Sequence, residues 1–200
     1  MKVAIVGGTG DFGLALARRL VEAGDEVILG SRDPARAQEK ADEVGAARGA
    51  KNEDCVAGVD LVVLATNAAA TLETAAALAG AIGTTPVLSV ASDLRSTEKL
   101  SLAERTQELL GAPVVAGLQS IAAAKLAAER PDEDAFICGD DADAKALGLE
   151  LAGKAVAGRA LDAGPLKRAR VLEGLTGLIV SLNKRYKGHA GIRVTGLPEE

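Results

Sequence analysis

A short β-prone run, Lys2–Val6, passes directly into Gly7-Gly8-Thr9-Gly10-Asp11-Phe12-Gly13, and Leu14, Ala17, Arg18 and Val21 then recur at helical spacing. Strand, glycine turn and helix in that order limit the fold more than any other feature of the chain. Gly24 supplies a helix stop, Glu26–Leu29 is a second β-like run, and Gly30-Ser31-Arg32-Asp33-Pro34 reads as a turn opening another helix. The first thirty-odd residues therefore make one βαβ unit.

The alternation continues. Leu61–Ala65, Pro86–Val90, Val114–Leu118 and Ala135–Cys138 are further strand candidates, and alanine-rich or charged helical stretches follow the first two. Leu161–Ala163 is a last short strand before a long helix from about Leu166 to Tyr186. The expected fold is α/β, Rossmann-type and doubly wound: a mainly parallel sheet with helices on both faces and a long C-terminal helix. At 200 residues one domain is expected over 1–200, with a dinucleotide-binding core at about 1–125 and a strand-helix extension at about 126–200. On the long helix Val171, Leu175, Leu178, Leu182 and Tyr186 form an apolar stripe that must be buried. Burial against a second copy makes the chain a homodimer; packing onto its own sheet is the competing solution.

Gly8, Gly10 and Gly13 satisfy G-x-G-x-x-G between a strand and a helix, the context in which that pattern is a dinucleotide fingerprint rather than an ordinary turn. The glycines remove Cβ atoms where the chain turns tightly and where a pyrophosphate approaches the unpaired N–H groups of a helix N-terminus. The tip of the second strand then discriminates between dinucleotides. A carboxylate for the ribose hydroxyl is usual in NAD enzymes, but this chain has Ser31-Arg32, with Arg36 one helical turn beyond. Guanidinium groups hold a phosphate dianion in forked geometry, so the pattern favours NADP(H). The bland alternative makes Arg32 and Arg36 surface charges flanking Asp33 and Glu39.

The formal net charge of −5 argues against a general nucleic-acid binder, and Phe12, Phe136 and Tyr186, with no Trp, offer no stacking platform. Charge is uneven: Pro165–Pro198 carries seven Lys or Arg against one acid, which suits either a local anion site or a solvated helix face. Apolar runs such as Leu61–Ala65 and Leu175–Leu182 fall short of the roughly 20 residues a membrane span needs, and no secretory leader is visible, so a cytoplasmic protein is expected. Cys55 and Cys138 lack paired spacing and read as structural thiols. Asp140-Asp141-Ala142-Asp143 reads as a capped helix start, and no metal site is assigned. His189, the only histidine, has no nucleophile beside it; it reads as structural or as a phosphate neighbour, and no catalytic residue is identified. Direct hydride transfer between two stacked cofactors needs none, because proximity and orientation supply much of the barrier lowering.

Five blocks in order resemble the NADPH-dependent coenzyme F420 reductases, also called F420H2:NADP+ oxidoreductases. They are Gly7-Gly8-Thr9-Gly10-Asp11, Ile28-Leu29-Gly30-Ser31-Arg32, Cys138-Gly139-Asp140-Asp141, Leu161-Asp162-Ala163-Gly164-Pro165-Leu166, and the tail from Leu182 to Ile192. The resemblance covers nearly the whole chain. It implies a small dimeric enzyme passing hydride between the nicotinamide of NADP(H) and the deazaflavin of F420. By the same likeness Thr9, Gly10, Asp11 and Phe12 hold the pyrophosphate, Ser31, Arg32 and Arg36 hold the 2′-phosphate, and Thr66 and Ala123 lie near the nicotinamide. The acidic tail of F420 would suit Lys184, Arg185, Lys187 or Arg193.

Departures from the family pattern fall on the substrate side. Asn67-Ala68 stands where relatives carry a Pro-aromatic pair, Ser89-Val90-Ala91-Ser92-Asp93 replaces a longer proline-containing loop, and Gln119-Ser120-Ile121-Ala122-Ala123 replaces His-Thr-x-Pro-Ala. Asn67, Gln119, Ser120 and Ile121 are therefore the substrate-side candidates. Glutamine donates a hydrogen bond but carries no charge. Two rivals stay open: an NADPH-dependent reductase of another small acceptor (imine, ketone or flavin), and a non-catalytic NADP(H)-sensing binding protein.

Overall fold

The computed structural model describes residues 1–198. Its strands are β1 (Lys2–Val6), β2 (Glu26–Ser31), β3 (Arg48–Lys51), β4 (Leu61–Leu64), β5 (Val87–Ser89), β6 (Val114–Gly117), β7 (Ala135–Gly139) and β8 (Ala160–Asp162). The helices are α1 (Asp11–Glu22), α2 (Pro34–Val44), α3 (Asn52–Cys55), α4 (Ala68–Ile82), α5 (Leu102–Gln107), α6 (Ala123–Ala128), α7 (Ala142–Ala155) and α8 (Ala169–Tyr186). All eight strands form one sheet in the order β3-β2-β1-β4-β5-β6-β7-β8. The first six are parallel and follow the doubly wound order, with its topological switch between β1 and β4.

Alternation along each strand builds two cores. Ile5, Leu29 and Val63 face a layer made by α1, α2, α6 and α7. Their neighbours Ala4, Ile28 and Val62 face α3, α4, α5 and α8. Buried on both sides, these strands are continuous apolar runs, which is why they are visible in the sequence. β3 is not. Only Ala50 of Arg48–Lys51 is buried, and an edge strand with one inward residue leaves no apolar run to detect.

β7 runs antiparallel to β6. Its connection contains only α6, six residues and about 9 Å long. β8 then pairs parallel with β7. Asp141 caps α7, accepting from Ala144 N at 2.8 Å, and Asp140 accepts from Leu166 N at 3.0 Å. Cys55 and Cys138 are buried free thiols, and burial pushes both up to about 12. No helix of the described residues is long and apolar enough to cross a membrane.

The long C-terminal helix opens with one 3-10 turn, Leu166–Arg168, before α8 proper. The expected apolar stripe is buried on this chain only in part. Leu175 and Leu182 are half-buried and Val171, Leu178 and Tyr186 are 56%, 52% and 72% exposed, whereas Ala169, Leu172, Glu173 and Ile179 are buried. Two adjacent stripes share the 3–4 spacing, and the core takes the one containing Glu173 because that carboxylate accepts Leu102 N at 2.8 Å, fastening the start of α5. Burial pushes the Glu173 carboxyl upward against these backbone donors.

The segment after α8 returns to the start of β7. Asp134, with no exposed surface, accepts from Arg159 Nη2 at 2.7 Å, Arg159 N at 2.9 Å and Val194 N at 2.8 Å. The Arg159 guanidinium holds the Asp134 carboxyl well below the usual carboxylate range. A depressed folded pKa contributes stability above the unfolded value of about 3.9, and that stability is lost as pH falls through the folded value. Urea midpoints of the native chain should therefore fall below pH 4, and Asp134→Asn should flatten that slope; parallel curves would show the pair contributes nothing.

Candidate functional site

The β1–α1 turn is built for close approach. Gly7 has φ +75, a left-handed conformation that costs a glycine nothing, and Gly8 N donates to Ile5 O at 3.1 Å and Gly30 O at 3.0 Å. α1 starts at Asp11 with Gly10 as N-cap and no side-chain cap. The N–H groups of Asp11, Phe12 and Gly13 have no hydrogen-bond partner among the described residues. Asp33, Asn67, Ser101 and Asp141 close the N-termini of α2, α4, α5 and α7, while α3, α6 and α8 start without a side-chain cap as α1 does. An open helix start with three free amides at the positive end of the helix dipole has the chemistry to hold an anion.

This turn is one wall of a groove of about 920 Å³ at the carboxyl ends of β1, β2 and β4. Thr9, Gly10, Asp11 and Phe12 line it on one side, Ser31, Arg32 and Arg36 at the β2 tip, and Thr66 and Asn67 after β4. Ser31 Oγ accepts from Asp33 N at 3.2 Å, so its proton is left to donate into the groove. Arg32 and Arg36 are exposed and have no side-chain ion pair or hydrogen bond among the described residues, since Asp33 spends its carboxylate on Ala35 N and Arg36 N. Both arginines are thus surface charges flanking Asp33 and Glu39, and both line the groove. Gly8 and Gly13 stand behind the groove as packing residues.

Beyond Phe12 and Thr66 the groove runs into a second pocket of about 310 Å³. Phe12, Ala65, Thr66 and Asn67 are common to both. Gln119 and Ile121 join them there, with Val90, Ser92, Leu94 and Thr176. Thr71 Oγ1 donates to Asn67 O at 3.0 Å, so the 3.0 Å contact between Thr66 and Thr71 uses the Thr66 proton and leaves Thr66 an acceptor. The Asn67 side chain caps α4, accepting from Ala70 N at 3.0 Å. Gln119 is buried and donates through Nε2 to Ser89 O at 3.2 Å.

Not every candidate meets here. Ser120 is buried and Ala123 opens α6, and neither lines the pocket. His189 and Arg193 belong to a separate cavity of about 540 Å³ beside α6, where Arg193 is held by Asp132 at 2.9 Å. Lys184, Arg185 and Lys187 are exposed at the C-terminal end of α8, away from both pockets. Sequence reasoning missed Asn52 and Glu53 of α3 and Glu73 of α4 in the groove, and Ser92, Leu94 and Thr176 in the pocket. The only available signal for Thr176 was a polar residue interrupting an apolar helix run.

A model of the family described as NADP oxidoreductase, coenzyme F420-dependent, matches residues 2–93. The chain is 37% identical to the F420-dependent NADP reductase of Methanothermobacter thermautotrophicus, covering 100% of this chain and 97% of the relative. It is 35% identical to the F420-dependent NADP reductase of Methanocaldococcus jannaschii, covering 98% and 99%. A solved structure described as a proposed F420-dependent NADP-reductase from Arthrobacter sp. FB24 superposes with a TM-score of 0.86 at 26% identity, covering 98% of this chain and 100% of that one.

Proposed function

The chain belongs to the F420-dependent NADP reductase family, and from that premise we propose that it is an oxidoreductase passing a hydride between NADP(H) and coenzyme F420. The observation that carries the reading is the pairing of two features: an uncapped α1 N-terminus, and two unpaired arginines at the β2 tip of the same groove. The first suits a pyrophosphate and the second a 2′-phosphate. The chemistry comes from the nicotinamide and the deazaflavin; the residues of this chain bind and orient.

In this reading Thr9, Gly10, Asp11 and Phe12 hold the pyrophosphate at the open start of α1, and Ser31, Arg32 and Arg36 hold the 2′-phosphate. Thr9, Gly10 and Phe12 shape the passage. Thr66 and Asn67 flank the nicotinamide end, and Gln119 and Ile121 line the acceptor side, with Ser120 and Ala123 outside the pocket wall. Continuity of the groove with the 310 Å³ pocket supports this order along the sheet edge. Residues 1–125 act as the dinucleotide-binding core and 126–200 as its extension within one sheet.

We further infer a homodimer, because α8 leaves Val171, Leu178, Val180 and Tyr186 exposed on one helix. A cytoplasmic location suits two cysteines that stand as free thiols.

The test is purified protein mixed with NADPH and oxidised F420, following loss of the deazaflavin's visible absorbance, with NADH as control and sedimentation of the same sample for oligomeric state. NADPH-specific bleaching is expected. Retained NADPH binding without bleaching would replace F420 with a small imine, ketone or flavin acceptor, or leave a sensor.

A further inference from the structure

We propose that Thr176 of α8 is a positioning residue for the acceptor: its hydroxyl pins the turn that carries Gln119. The chain leaves β6 at Leu118 with φ +67, a conformation that branched side chains rarely adopt. The Leu118 side chain is buried in the core and its N–H donates to Phe136 O at 3.4 Å. A bond from Ile121 N to Leu118 O at 3.0 Å closes the turn, and the Gln119 side chain reaches Ser89 O at 3.2 Å. A further tether comes from across the pocket, where Thr176 Oγ1 donates to Gln119 O at 2.7 Å.

One hydroxyl thereby joins three elements. Thr176 spends its single proton on Gln119 O, so the 2.8 Å contact with Ser92 has the Ser92 hydroxyl donating. The loop after β5, the turn after β6 and helix α8 meet at this atom, and Ser92, Gln119 and Thr176 all line the same pocket. Strained backbone persists only where its surroundings over-determine it. With Gln119 held at its carbonyl and its Nε2, its buried Oε1 is left without a partner. Thr176 acts through Gln119 and has no role toward NADP(H), whose groove it does not line.

This rests on Gln119 being an acceptor-side group, and the experiment separates the two claims. Thr176→Val keeps the volume and removes the hydroxyl; Thr176→Ser restores it. Thr176→Val should lower kcat/KM for F420 about tenfold with the NADPH dissociation constant within about twofold, and Thr176→Ser should recover most of the loss. Amide hydrogen exchange over residues 118–122 should quicken in the valine variant and not in the serine variant. Unchanged F420 kinetics with unchanged exchange overturns the proposal. So does a parallel fall of melting temperature, NADPH affinity and turnover that serine does not repair. If the native chain itself fails to reduce F420, the functional reading falls, and exchange alone decides: quickened by valine and restored by serine, the pin stands; unchanged, it does not.

Discussion

Arg32→Glu is expected to lower kcat/KM for NADPH by about a hundredfold while moving the value for NADH by no more than about twofold. Arg32 is exposed and pairs with nothing among the described residues, so reversing its charge breaks no contact that holds the fold. Its loss is felt only when a phosphate dianion sits at the β2 tip. Charge-assisted hydrogen bonds contribute about 1.5–3 kcal/mol each, and a carboxylate in that place adds repulsion; every 1.4 kcal/mol is tenfold. Arg36, in the first turn of α2, remains and keeps the effect from being larger. Steady-state kinetics with both nicotinamide cofactors decides the matter, and equal losses with the two would remove Arg32 from the phosphate site.

The second large effect separates two glycines that look alike in the motif. A Cβ on Gly13 would lie 2.8 Å from Gly8 Cα, backbone against backbone, so Gly13→Ala must push α1 off the turn. A cost of about 1–3 kcal/mol is expected, read as a lower melting temperature. A Cβ on Gly10 meets only Gly7 O, at 3.4 Å, and its φ of −81 and ψ of 163 suit any residue. Gly10→Ala should therefore cost the fold less than about 1 kcal/mol, the difference between glycine and alanine as an N-cap. Its methyl nevertheless occupies the groove that Gly10 lines, beside the free amides of α1. NADPH binding should weaken about 10- to 100-fold, since pyrophosphate and backbone can no longer close to hydrogen-bonding distance. Melting curves and NADPH fluorescence titrations of both variants test the contrast; a Gly10→Ala protein that binds normally would mean the anion sits elsewhere.

Particular elements show where sequence reading succeeds. β1, β2 and β4 through β7 are legible because each buries consecutive apolar residues, and the Ser31-Arg32 tip because it directly follows such a strand. The groove was legible for the same reason: its anion-binding parts are local, a turn and a helix start contiguous in the chain. The smaller pocket was legible only in part. Gln119 and Ile121 line it, but Ser92, Leu94 and Thr176 come from segments distant in sequence, brought together by the packing of α8.

The sequence by itself determined the doubly wound class, the position of the dinucleotide turn and the preference for a 2′-phosphate. Each is written in neighbouring residues whose geometry follows from backbone sterics and charge. Tertiary structure alone decided the direction of β7, the existence of β3, and the face of α8 that meets the core. Two stripes on that helix have the same period, and periodicity carries no information about which one finds partners. The choice went to Leu172, Glu173, Thr176 and Ile179 because two of them are polar groups whose hydrogen-bond partners lie more than 50 residues away in the chain, on loops that only the folded sheet brings within reach.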